Sequence, residues 1–79
     1  MKILFLTTAH NTLSQRLQIE LEERGHQVSI ELALDDAVMQ EAVELWRPEL
    51  ILCPFLKRAV PESIWSRYPT LIVHQGIRG

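Results

Sequence analysis

Three short stretches, Ile3-Leu4-Phe5-Leu6, Leu50-Ile51-Leu52-Cys53 and Leu71-Ile72-Val73, are apolar without interruption. Strands that are covered on both faces read this way, whereas a half-exposed strand alternates. Each run is too short for a membrane span. A chain with several such runs is committed to a sheet buried between layers, and helices are what normally cover it.

The segments between the runs supply those helices. After β-prone residues 3–7, Thr12 opens a helix whose apolar positions Leu13, Leu17 and Leu21 recur every fourth residue, with Glu20, Glu22, Glu23 and Arg24 toward solvent. Thr12 and Gln15 fit a capping box, and Gly25 is the expected stop. Residues 27–32 alternate in polarity, as a strand near a sheet edge does. Asp35 and Asp36 suit a helix N-terminus, Val38, Ala42, Leu45 and Trp46 trace one face, and Pro48 ends the helix. A third strand over residues 49–53 stops at Pro54. Pro61 starts a short helix reaching Trp65 or Arg67, and Pro69 closes it before a fourth strand at residues 70–73.

This β-α-β-α-β-α-β order predicts an α/β fold: an open, mainly parallel sheet of about four strands with flanking helices and right-handed connections. At 79 residues the chain makes one domain at most, and two are excluded. The end in residues 75–79, glycine-rich and just past a buried strand, reads as a truncated domain. A sheet stopped there leaves an apolar face and an open edge, so the isolated chain is expected to associate or stay partly molten.

Eight Lys plus Arg against 10 Asp plus Glu, with no basic cluster longer than Lys57-Arg58, argue against nucleic acid as partner. One cysteine excludes an internal disulfide and suits a reducing compartment. No secretory or membrane-spanning segment stands out, which favours the cytoplasm.

In open α/β sheets ligands bind beyond the carboxyl ends of the strands. That rule selects residues 8–12, 33–36, 54–60 and 74–79. The first loop, Thr8-Ala9-His10-Asn11-Thr12, holds no glycine, which excludes the dinucleotide fingerprint and the Walker phosphate loop. His74 stands at the mouth of the fourth strand, where an imidazole can act as acid, base or oxyanion donor; the plain alternative is a histidine that caps a strand end. Gly76 and Gly79 let backbone approach a ligand there. His10, His26 and His74 lie in separate segments without metal-ligand spacing, so no metal is expected, and His10 and His26 serve as controls for His74. Cys53 reads as a core thiol, and Trp46 and Trp65 as core packing. Lys57-Arg58 is either a solvated pair or a receiver for an anionic ligand.

The second half adds a resemblance. Arg47-Pro48-Glu49-Leu50-Ile51-Leu52-Cys53-Pro54-Phe55, Val60-Pro61 and Leu71-Ile72-Val73-His74-Gln75-Gly76 resemble the folate-dependent formyltransferase pattern. Ser29-Ile30-Glu31-Leu32-Ala33-Leu34, Pro54-Phe55-Leu56-Lys57-Arg58 and the Val-His-x-Gly-Ile-x-Gly ending look like the N-terminal domain of the HypX (HoxX) family of hydrogenase maturation factors. The resemblance runs through essentially the whole chain. It implies a Rossmann-like fold, with residues 1–79 as part of a formyltransferase N-terminal domain.

It also implies a longer parent with a C-terminal module similar to enoyl-CoA hydratases. That parent would take the formyl group of 10-formyltetrahydrofolate to coenzyme A and release carbon monoxide for the iron of NiFe hydrogenase, with other maturation proteins as partners. The 79 residues alone would be inactive. His74 falls on the catalytic His of the family's N-x-H set, while Ile72 occupies the Asn position and the later Asp lies past Gly79. Phe55, Leu56, Lys57, Gln75, Gly76 and Ile77 would contact substrate, Gln75 replacing the usual Pro. The missing glycines in residues 8–12 disfavour the purine-synthesis branch. Ile72 also leaves room for a rival, a small α/β binding module without catalysis.

Overall fold

The computed structural model describes residues 1–73. Along them run β1 (Lys2–Thr7), α1 (Thr12–Glu23), β2 (Gln27–Leu32), α2 (Asp36–Trp46), β3 (Leu50–Cys53), α3 (Glu62–Trp65) and β4 (Thr70–Ile72). The four strands form one sheet in the order β2-β1-β3-β4, and every neighbouring pair is parallel. The alternating strand β2 is an edge and the apolar β1 is central, as their patterns require. The expected site residues His74, Gln75, Gly76 and Ile77 lie outside the described residues.

Side-chain alternation divides the sheet into two faces. Leu4, Leu6, Ile51 and Cys53 pack with Met39, Val43 and Ile64, so α2 and α3 cover that side. Ile3, Phe5 and Thr7 point the other way, toward α1, because right-handed crossovers running in opposite directions fall on opposite faces. Burial on both faces makes residues 3–7 of β1 fully enclosed. Each large apolar side chain there contributes roughly 1.5–3 kcal/mol by leaving water.

The helix ends are set by local chemistry. Asn11, not Thr12, caps α1: its side chain accepts from Ser14 N at 3.1 Å, and Gln15 turns back to His10 O instead of closing a capping box on Thr12. At the other end Gly25, with φ 92°, donates to Glu22 O while His26 N donates to Leu21 O, the paired bonds of a Schellman stop. Asp35 caps α2 by accepting from Val38 N at 2.8 Å. Arg47 ends α2 in the left-handed region, φ 50° and ψ 66°, immediately before Pro48.

Two expected core positions are not core. Leu45 is 80% exposed, because it lies about 200° round α2 from Val43 and the buried stripe runs through Met39 and Val43. Trp65, at the last residue of the four-residue α3, is 53% exposed. Trp46 is half-buried, with Lys2 Nζ 4.8 Å from its ring centroid. Leu71 and Ile72 on the edge strand β4 are also exposed.

Candidate functional site

Strand order reverses direction beside β1: the chain leaves β1 toward β2 on one side and crosses to β3 on the other. The crevice between the carboxyl ends of β1 and β3 is therefore the topological switch point, where ligands of such sheets sit. Its walls are the loops at residues 8–11 and 54–61.

Those loops are tied together by backbone and hydroxyl bonds. Thr8 N donates to Phe55 O at 2.6 Å, and Lys57 N donates to Thr8 Oγ1 at 2.8 Å. The fully buried Thr7 hydroxyl shares its proton between Ala9 O at 2.7 Å and Phe55 O at 2.9 Å. On the β2 side, Ala33 N donates to Thr7 O at 2.8 Å. Arg58 Nη1 reaches Asp36 Oδ1 at 3.5 Å, an exposed pair linking the β3–α3 loop to the start of α2. Hydroxyls thus give the glycine-free first loop a fixed shape.

Phe55 and Leu56 are half-buried and Lys57 is exposed, its Nζ 5.4 Å from the Phe55 ring centroid. Phe55 and Lys57 belong to the crevice wall through their main chains, whereas the Leu56 side chain packs against the core. The structure brings a further histidine to this mouth. His10 Nδ1 lies 2.8 Å from the Oγ of fully buried Ser14, on the first turn of α1. Ser14 does not stand out in the sequence, where Thr12 and Gln15 draw the cap; its position one turn before Leu17 and Gln18 is the available signal. His26 sits at the opposite rim and accepts from the Met1 amine at 3.0 Å through Nδ1.

Cys53 is enclosed at the end of β3, and burial pushes its thiol up from 9.0 to about 11. A thiol so held stays protonated at neutral pH and is no nucleophile, as its apolar setting implied. Among the described residues no group of three or more His, Cys, Asp or Glu gathers in metal-binding geometry. No helix among them is long and apolar enough to cross a membrane. A separate hollow of about 450 Å³ lies between α3 and β4, walled by Val60, Trp65, Tyr68 and Ile72 among others. Its lining is mostly apolar, with Tyr68 and Thr70 as polar members, and it lies off the switch point.

The fold defines a class: an open, all-parallel α/β unit with flanking helices. The chain is homologous to the N-terminal region of the hydrogenase maturation factor HoxX/HypX. It is 49% identical over its full length to hydrogenase maturation factor HoxX of Bradyrhizobium diazoefficiens, of which it covers 14%. HypX from Aquifex aeolicus in complex with tetrahydrofolic acid superposes with a TM-score of 0.92 at 53% identity, over 94% of this chain and 13% of that one. A substituted variant of the same protein gives 0.93 at 52% identity, over 98% of this chain and 14% of that one. No protein-family profile matches the chain. The chain thus spans about one seventh of the relatives it matches.

Proposed function

We propose that this chain is the opening part of the folate-side domain of a HypX-like, formyl-tetrahydrofolate-dependent formyltransferase that serves NiFe hydrogenase maturation in the cytoplasm. The observation that carries the reading is identity of about half over the whole chain with a maturation factor whose homologue was crystallised with tetrahydrofolic acid. The loops at the switch point are consistent with it: the one that carries Phe55 and Lys57 is tied to Thr8 at the end of β1.

In the longer protein the donor is 10-formyltetrahydrofolate and the acceptor is coenzyme A. The C–N bond of the formyl group breaks as a C–S bond to the acceptor forms, and the thiol proton ends on the folate nitrogen. Formyl-coenzyme A then separates into carbon monoxide and the free thiol. His74, next in sequence after Val73, is assigned the polarisation of the formyl oxygen. Val73 N still donates to Cys53 O at 3.0 Å, which holds the chain in the ladder up to that point.

The test is His74→Ala in the full-length protein. Formyl transfer should slow by about 10² or more while affinity for a formyl-tetrahydrofolate analogue changes little, since the bond is made chiefly in the transition state. Near-normal turnover would return His74 to a strand cap. Ile72 favours the second reading, a binding module without catalysis, because an apolar side chain stands where the transferases use a hydrogen-bond donor. Absence of saturable binding of the analogue by the full-length protein would favour that module.

A further inference from the structure

Thr7 and Ser14 are the buried polar side chains of the described residues. Both hydroxyls act on one loop. Thr7 fixes its start by bonding Ala9 O and Phe55 O, and Ser14 fixes its end.

The direction of the Ser14 chain of bonds follows from elementary bookkeeping. Ser14 Oγ lies 2.9 Å from Asn11 O and 2.8 Å from His10 Nδ1. A carbonyl oxygen only accepts, so the bond to Asn11 O uses the single hydroxyl proton. With the hydroxyl turned to Asn11 O, which also accepts from Gln15 N at 2.9 Å, the His10 ring donates the bond to Ser14 Oγ and carries its proton on Nδ1; the opposite tautomer would turn the hydroxyl to the ring instead. Gln15 Nε2 also donates to His10 O at 3.2 Å, so both ring and main chain of this residue are held. In neutral imidazole the other nitrogen, Nε2, is then an acceptor, and it has no partner among the described residues.

Helix architecture does not require this serine. Asn11 already caps α1 through its own side chain, and alanine would fill the same buried space with better helix propensity. The hydroxyl serves the histidine. We propose that Ser14 is a positioning residue that fixes His10 with Nδ1 protonated, so that Nε2 accepts a hydrogen bond from a hydroxyl, amide or thiol group of the ligand in the β1–β3 crevice. This rests on the reading above, that the crevice receives a small-molecule substrate, and adds a contact residue to it. Supporting shells of this kind, a buried partner locking the ring that meets the ligand, are how sites keep a tautomer fixed.

The test uses the full-length protein with ring-¹⁵N-labelled histidine. In the free protein at mildly alkaline pH, His10 should show a protonated Nδ1 and an unprotonated Nε2, and Ser14→Ala should release it to a mixture of tautomers. 5-Formyltetrahydrofolate and coenzyme A are then added separately. At least one should move the His10 Nε2 resonance and bind roughly three- to tenfold more weakly to His10→Ala and Ser14→Ala, as loss of one neutral hydrogen bond implies. The two arms tell a donor contact from an acceptor contact. A protonated Nε2 in the free protein overturns the inference. So does unchanged binding of both probes in both variants with the His10 signal unmoved, a result that leaves the proposed function standing. Failure of the wild type to bind either probe removes function and contact together. Should Ser14→Ala not fold, the wild-type tautomer and His10→Ala decide.

Discussion

Thr7→Val tests whether the buried hydroxyl at the end of β1 is what fastens the two crevice loops. The substitution is nearly isosteric, so it removes the bonds to Ala9 O and Phe55 O and leaves packing in place. One hydroxyl proton divided between two carbonyls counts as about one hydrogen bond, a net loss of roughly 0.5–1.5 kcal/mol. Phe55 O keeps its bond from Thr8 N, and Ala9 is exposed enough for its carbonyl to find water, so neither acceptor is stranded. The expected cost is about 1 kcal/mol, local to the loops, or roughly a fivefold shift in their opening equilibrium. Hydrogen exchange reads this directly: the Thr8 and Lys57 amides, which bridge the loops, should exchange about fivefold faster. The Leu4 and Leu6 amides inside β1 should be unchanged. Protection of Thr8 and Lys57 within a factor of two of wild type would refute the argument, and equal acceleration along β1 would show a global effect instead.

Arg47→Gly should stabilise the fold by about 0.5–1 kcal/mol in urea unfolding, since a left-handed backbone suits glycine and not arginine. Cys53 has a folded pKa of about 11 against 9.0 for the free thiol, so its contribution is complete below pH 9 and is lost as pH rises through 11. Unfolding midpoints should fall over that window in the wild type and less steeply in Cys53→Ala, and a thiol reagent should label the native protein slowly at neutral pH. The isolated 79-residue chain should self-associate through β4, where Leu71 and Ile72 are exposed, and Ile72→Lys should reduce this in sedimentation velocity. A monomer with one sharp thermal transition would contradict it.

Local chemistry made much of the fold legible. Uninterrupted apolar runs marked β1, β3 and β4, though only the central β1 is enclosed on both faces and the edge strand β4 is exposed, and Gly25, Asp35 and Pro48 marked helix ends because caps and stops act within a turn. The strand order could be limited in advance to right-handed, parallel connections. Helix faces were less legible. Leu45 and Met39 are equally apolar, and only contact with the sheet decides that Met39 is buried and Leu45 is not.

The sequence by itself determined the class of fold and the kinship carried by Pro54-Phe55-Leu56-Lys57-Arg58. Tertiary structure alone decided how the crevice is built. Thr7 and Phe55 are 48 residues apart, Thr8 and Lys57 are 49 apart, and no spacing rule joins such positions until β1 and β3 lie side by side. The same holds for Ser14, whose hydroxyl has meaning only once burial denies it water and leaves His10 and Asn11 as its partners.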